Sequence, residues 1–291
     1  MRKTDFFIVG QTRSGTTTIL YLLKQHPDVF IIHSGTGKIP PRFGFPPTKI
    51  TEEEYLKAFS EAKDSQILGD KCSDYMMCST SAERIKEFNP NAKIIINLRN
   101  PIDCMHSLHT FELNNAVETI DDFEKALEVE EQRTKEELET PNKYNHNLFY
   151  RKNMKYVEQV QRYYDAFGKE NVLVRIFDDF TSKPEKSFRE VCEFLNIDPE
   201  FKPTFGRYNA NRITRNKFLQ KSVVKTNNTK LRDVVRKIPG IQDFYNFVNL
   251  PEVERDEMKP DLKKRLQKEM KPEIEKLSNL IKKDLTKWYS N

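Results

Sequence analysis

Residues 5 to 18, Asp-Phe-Phe-Ile-Val-Gly-Gln-Thr-Arg-Ser-Gly-Thr-Thr-Thr, constrain the fold of this chain more than any other stretch. The apolar run Phe6 to Val9 has the character of a buried strand and leads into a G-x4-G-T-T loop that opens a helix near Thr16. Backbone N–H groups in such a turn point inward, and the helix start adds its positive end and its unpaired donors. Thr16, Thr17 and Thr18 place three hydroxyls where anionic oxygens would sit. The spacing matches the G-x4-G-K-[ST] pattern, except that Thr16 stands where that pattern has the lysine reaching the β- and γ-phosphates of a nucleoside triphosphate. The cation has moved to Arg13. A loop of this kind, with no evident metal-holding acid, fits a nucleotide carrying a 5′-phosphate and no triphosphate–magnesium unit. Taken alone, the same turn also fits a capped helix after a buried strand.

A second motif narrows the choice. Residues 93 to 107, Lys-Ile-Ile-Ile-Asn-Leu-Arg-Asn-Pro-Ile-Asp-Cys-Met-His-Ser, form another apolar strand that ends in Arg99, with Pro101 preset for a first helical turn and Ser107 about two turns on. Arg99 stands at a strand's carboxyl end, where open α/β sheets bind ligands. Its planar fork suits a phosphate monoester, and Ser107 adds a hydroxyl donor. By itself such an arginine also fits a helix end or a salt bridge.

With both motifs in view, the chain resembles the sulfotransferases that use 3′-phosphoadenosine 5′-phosphosulfate (PAPS). Gln11 to Thr18 looks like that family's 5′-phosphosulfate loop, and the R-x7-S spacing from Arg99 to Ser107 looks like its 3′-phosphate site. His26-Pro27-Asp28-Val29, Gly69 to Tyr75, and Val172 to Phe180 followed by Lys183-Pro184 match further landmarks in the same order. The likeness covers about residues 5 to 200. It implies a P-loop-like three-layer α/β fold, PAPS as sulfuryl donor, 3′-phosphoadenosine 5′-phosphate (PAP) as product, and no metal. It also implies cofactor contacts from Arg13, Ser14, Gly15, Thr16, Thr17, Thr18, Arg99 and Ser107. Members close over the 3′-phosphate with a late basic loop, so Arg215 and Lys217 are carried as further candidates; a solvated loop explains them equally.

Sulfuryl transfer needs a held anhydride, a neutralised leaving phosphate, a base for the acceptor's proton and an in-line approach. Arg13 fits the second role; it stays charged and so stabilises without giving a proton. Lys71 matches a lysine in the family's E-K-[ST] segment and would supply the proton or a second charge. Many members carry a glutamate beyond the second strand, but residues 30 to 47 contain no acid. His33 lies there instead, and an imidazole near its ordinary pKa of about 6.5 is a suitable base. Asp70, ahead of Lys71, is the alternative. Phe177 replaces a tyrosine common in cytosolic members. His26 fits a turn, and His106 with His109 fits a helix surface or an acceptor cleft.

Strands are expected near 5–9, 29–32, 66–69, 93–98 and 172–177, with helices near 16–25, 51–63, 80–89, 101–113, 121–139, 150–168 and 185–195. The alternation predicts a central parallel sheet flanked by helices. With 37% hydrophobic residues among 291, one large core suffices, so residues 1–291 are expected to form a single domain with a helical extension from about 230. Leu262, Leu266, Met270, Ile274, Leu277 and Ile281 predict an amphipathic helix broken near Pro272. The Gly- and Pro-rich segment 35–47 suggests an acceptor-site wall or lid.

Cys72, Cys78, Cys104 and Cys192 form no C-x-x-C pair and fit a reducing compartment. An early first strand and the lack of a long apolar run predict a cytoplasmic chain without a membrane span. A net charge of +5, with positives interleaved among 44 acids, argues against nucleic acid, and the resemblance implies a small-molecule or carbohydrate acceptor. The alternatives are a P-loop nucleotide kinase, disfavoured by the absent lysine, and a nucleotide-binding protein without turnover.

Overall fold

The computed structural model describes residues 2–35, 39–44, 50–206 and 257–290. Five short apolar runs form a parallel sheet: β1 (Phe6–Gly10), β2 (Val29–His33), β3 (Ile67–Lys71), β4 (Lys93–Leu98) and β5 (Val172–Ile176). Their order across the sheet is β2-β3-β1-β4-β5. Register is tight at the carboxyl ends, with His33 opposite Lys71, Gly10 opposite Asn97 and Leu98 opposite Ile176. Chain order reverses at β1, so the loops after β1 and β4 open at the switch point where such sheets hold ligands.

Helices flank the sheet as the alternation predicts. They are α1 (Thr16–Leu23), α2 (Glu52–Leu56), α3 (Asp74–Met77), α4 (Ser81–Phe88), α5 (Pro101–Asn114), α6 (Phe123–Glu128), α7 (Glu130–Glu139), α8 (Tyr150–Asn153), α9 (Tyr156–Phe167), α10 (Phe177–Ser182), α11 (Pro184–Leu195) and α12 (Pro260–Ile281). Every residue of β1 is buried, as expected of a central parallel strand. Phe6, Ile8 and Ile95 meet Ile19, Leu20 and Leu23 of α1 and Phe188, Val191 and Leu195 of α11 in one core cluster. Among the described residues no helix is long and apolar enough to cross a membrane.

Two local expectations need correction. The expected helix 121–139 divides at Val129, and 150–168 divides around Met154 and Lys155. The expected break at Pro272 is absent, because α12 continues through it. Pro272 and Lys268, the residue whose carbonyl loses its i+4 partner, are both exposed.

The described residues divide into two compact units. One comprises Met1–Cys104, Lys155–Tyr208 and Glu269–Asn291; the other comprises Met105–Met154 and Asn209–Lys268. In the second, buried Glu118 accepts two bonds from Arg133 at 2.9 Å and one from the Tyr150 hydroxyl at 2.8 Å. Asp122 caps α6 through the Lys125 N–H.

In the first unit the described part of the segment expected to form an acceptor-site wall or lid is anchored at Phe43. Its ring is buried edge-on against Phe7, Tyr55 and Tyr75 at 5.5–5.8 Å and tilted on Phe88 at 5.2 Å. Its carbonyl accepts from Ser81 Oγ, and Arg84 donates to the carbonyls of Arg42 and Gly44 on either side. Phe43→Ala should therefore cost about 3–5 kcal/mol, the usual range for emptying a fully packed aromatic site. Chemical denaturation measures it, and a loss below about 1 kcal/mol would show that the ring is not an anchor.

Candidate active site

Each strand of the sheet delivers one polar or aromatic residue at or just beyond its carboxyl end, all within the first unit. β1 leads to Arg13, β2 ends on His33, β3 ends on Lys71, β4 is followed by Arg99 and β5 by Phe177.

The loop after β1 is held by backbone contacts. Gly10 has φ +133°, and a Cβ there would lie 2.5 Å from the Asn97 carbonyl oxygen, so only glycine lets β1 approach β4 this closely. Ser14 Oγ sits 2.5 Å from the Gln11 carbonyl and 2.8 Å from the Asn97 carbonyl. Ser14 is fully buried and its N–H donates to Gln11 O at 3.1 Å. The Ser14 hydroxyl thus fastens the loop. Thr16 is also buried, its Oγ1 3.4 Å from Ser73 Oγ, whereas Thr17 and Thr18 are half-exposed.

Arg13 itself adopts φ +75°, an uncommon conformation for a residue with a side chain. Gly15, at φ +83°, occupies the N-cap of α1 and supplies no side-chain cap. Helix geometry leaves the N–H groups of Thr16 and Thr17 without an i−4 partner, while that of Thr18 donates to the Gly15 carbonyl at 3.1 Å. A Cβ on Gly15 would meet the Phe177 ring at 2.8 Å. That same ring carries the Arg99 guanidinium 4.8 Å from its centroid, and Arg99 Nη1 donates to the Arg13 carbonyl at 3.3 Å. Arg99 is thus tied to the backbone of the loop that carries Arg13 and opens α1. Ser107, further along α5, is buried and belongs to the second unit.

His33 and Lys71 stand opposite each other in register, and Lys71 Nζ lies 3.0 Å from His33 Nε2. Burial and the Lys71 charge lower the His33 pKa to about 4, with Lys24 adding to the effect and Asp74 opposing it. The expectation of an ordinary imidazole pKa is thereby corrected. Lys71 is itself buried, which holds its ammonium below the usual range. Asp70 does not join them. Neighbouring strand residues face opposite sides, and Asp70 turns into the core, where Oδ2 accepts from Tyr55 OH at 3.0 Å and Tyr75 OH at 2.9 Å. Its role as alternative base is corrected on that ground. Burial pushes its carboxyl up to about 6 against the hydrogen bonds from Ser34, Tyr75 and Tyr55.

The remaining histidines fall where their neighbours dictate. His26 closes the α1-to-β2 turn through the Asp28 N–H and the Asp198 carbonyl. His109 is buried with Nε2 2.8 Å from the Ile120 carbonyl, so the cleft reading does not hold for it. Arg215 and Lys217 lie outside the described residues. Reasoning from sequence missed the contact of Phe177 with Gly15 and Arg99. Its one signal was position, directly after the fifth strand.

A family model for the sulfotransferase domain matches residues 3–280. The chain belongs to the sulfotransferase domain family. The crystal structure of a sulfotransferase from Alicyclobacillus acidocaldarius matches it over 99% of each chain, with 26% identity and a TM-score of 0.72. Mouse sulfotransferase SULT7A1, solved in complex with PAP, matches 68% of this chain and 60% of its own at 18% identity and a TM-score of 0.43. No curated protein matches the sequence. The family and the first of these structures support sulfotransferase activity.

In this sulfotransferase, His33 should titrate near pH 4 by NMR, and Lys71→Met should move that midpoint upward by removing a facing positive charge. Burial, the larger cause, stays in place, so the midpoint should remain below about 6.5. An unchanged midpoint in Lys71→Met would break the pairing.

Proposed function

We propose that the chain transfers a sulfuryl group from PAPS to a hydroxyl, or less readily an amine, of a small-molecule or carbohydrate acceptor. The observation that carries this reading is the convergence of Arg99, Arg13 and the uncapped start of α1 at the switch point of the sheet. Two separate anion sites on one nucleotide call for a molecule with phosphate at both ends of its ribose.

The residues present fit such a ligand. The start of α1 offers N–H donors with no side-chain cap competing for them. The Arg99 guanidinium lies over the Phe177 ring, and its fork suits bidentate capture of a phosphate monoester. When bound, PAPS supplies an activated sulfate joined to a phosphate leaving group. Arg13 would meet the charge that develops on the leaving oxygen, and its high pKa keeps it a fixed cation.

The His33–Lys71 pair suits the proton transfer. His33 is neutral at pH 7, but a pKa of about 4 makes it a weak base while Lys71 is charged. Lys71 is the counterpart: burial makes its ammonium a better acid than an exposed lysine. As Lys71 gives a proton to the leaving oxygen, its positive charge disappears and the basicity of His33 rises at the moment His33 takes the acceptor's proton. The 3.0 Å contact then lets the proton pass from His33 to Lys71 and restores both groups.

Isothermal titration tests the cofactor. PAP should bind far more tightly than AMP, and Arg99→Ala should erase most of that preference, a loss of roughly 30- to 1000-fold for a charged bidentate contact of about 2–4 kcal/mol. Equal affinity of Arg99→Ala and wild type for PAP would refute the reading.

A second expectation concerns the base. With labelled PAPS and a saturating acceptor, His33→Ala should lose about 10²- to 10⁴-fold in kcat while PAP affinity stays nearly unchanged. Near-wild-type turnover in that variant would assign the base elsewhere.

A further inference from the structure

The end of the chain is fixed to both arms of the Arg99 site. The single tryptophan of the sequence, Trp288, follows α12 and is 3% exposed. Its indole Nε1 donates to Asp178 Oδ2 at 2.9 Å. Its carbonyl accepts from Asn100 Nδ2 at 3.3 Å. Asn100 follows Arg99, and its Oδ1 accepts from the Ile102 N–H at 3.0 Å, so it also secures the first turn of α5. Asp178 follows Phe177 at the start of α10. Since the Phe177 ring supports the Arg99 guanidinium at 4.8 Å, the contacts close into a circuit: Arg99, Asn100, Trp288, Asp178, Phe177 and back to Arg99. Lys283 adds a second fastening at the Asp179 carboxylate, 3.3 Å away. All of these residues lie in the first unit.

An unsupported arginine has many rotamers and loses that freedom when it binds an anion. Fixing the residue before the helix and the ring beneath the guanidinium removes part of that loss in advance. Trp288, bonded through its indole on one side and its backbone carbonyl on the other, couples the segments that follow β4 and β5. We propose that Trp288 is a positioning residue, and that the C-terminal segment acts as a strap that presets Arg99 for a nucleotide 3′-phosphate. The inference rests on the reading of Arg99 as the 3′-phosphate ligand.

The test compares the affinities of the full-length protein for PAP and AMP by calorimetry. Trp288→Phe keeps an aromatic ring but loses the N–H donor. Asp178→Ala removes the acceptor at an exposed position that folding tolerates more readily, while Asp178→Asn retains a side-chain oxygen for the indole. Trp288→Phe and Asp178→Ala should each weaken PAP binding by about 3- to 30-fold, the range for a residue acting through a network. AMP binding should change less than about 2-fold, and Asp178→Asn should stay near wild type. A purely structural role would weaken both ligands together and leave their ratio unchanged, and that result would overturn the strap. If wild-type protein shows no preference for PAP over AMP, the 3′-phosphate reading itself fails and the strap with it. A preserved wild-type preference with an unchanged ratio in Asp178→Ala would remove the strap alone.

Discussion

The close approach of β1 to β4 at Gly10 and Asn97 governs the geometry of the whole sheet end. With no side chain at Gly10, the two strands draw near enough for one serine hydroxyl, that of Ser14, to reach carbonyls belonging to both. The loop after β1 is thereby held over the end of β4, and the Arg13 carbonyl comes within reach of Arg99. Arg99 is tied to the loop through that loop's backbone and not through a side chain.

Much of this was legible in the chain because it is encoded locally. Parallel strands buried on both faces leave continuous apolar runs, and all five expected strands lie within about two residues of their observed positions. The G-x4-G loop and Arg99 were legible because each directly follows such a run. What escaped depends on neighbours distant in sequence. The pKa of His33 is set by burial and by Lys71, 38 residues away. The contact of Phe177 with Gly15 joins residues that follow β5 and β1, two strands apart in the sheet, and no pattern along the chain announces it. The opposed directions of Asp70 and Lys71 could have been read from the two-residue period of a strand. Pro272 escaped for another reason: a proline interrupts a helix at a cost that depends on whether water can reach the orphaned carbonyl.

The core beneath the site is built from aromatic rings. Phe7, Phe43, Tyr55, Tyr75 and Phe88 pack mostly edge to face, which favours the negative faces and positive edges of neighbouring rings. Two of these, Tyr55 and Tyr75, turn their hydroxyls onto Asp70, and Thr4 meets Tyr55 from the other side at 3.0 Å. The rings therefore do more than fill volume: they satisfy a carboxyl group that would otherwise be an isolated buried polar residue.

The placement of Asp70 and His33 on adjoining strands has a consequence for acid tolerance. Asp70 has a raised pKa, so the folded chain holds its proton up to about pH 6, whereas an unfolded aspartate releases it near 3.9. Folding takes up a proton there, and that contribution to stability fades as pH rises through the interval. His33 has a lowered pKa, so between about 6.5 and 4 the unfolded chain holds a proton that the folded chain lacks. Folding releases a proton there, and that contribution fades as pH falls. The two linkages run in opposite directions across nearly the same interval. Proton uptake by one group cancels release by the other, and this corner of the molecule leaves folding nearly indifferent to mild acidification.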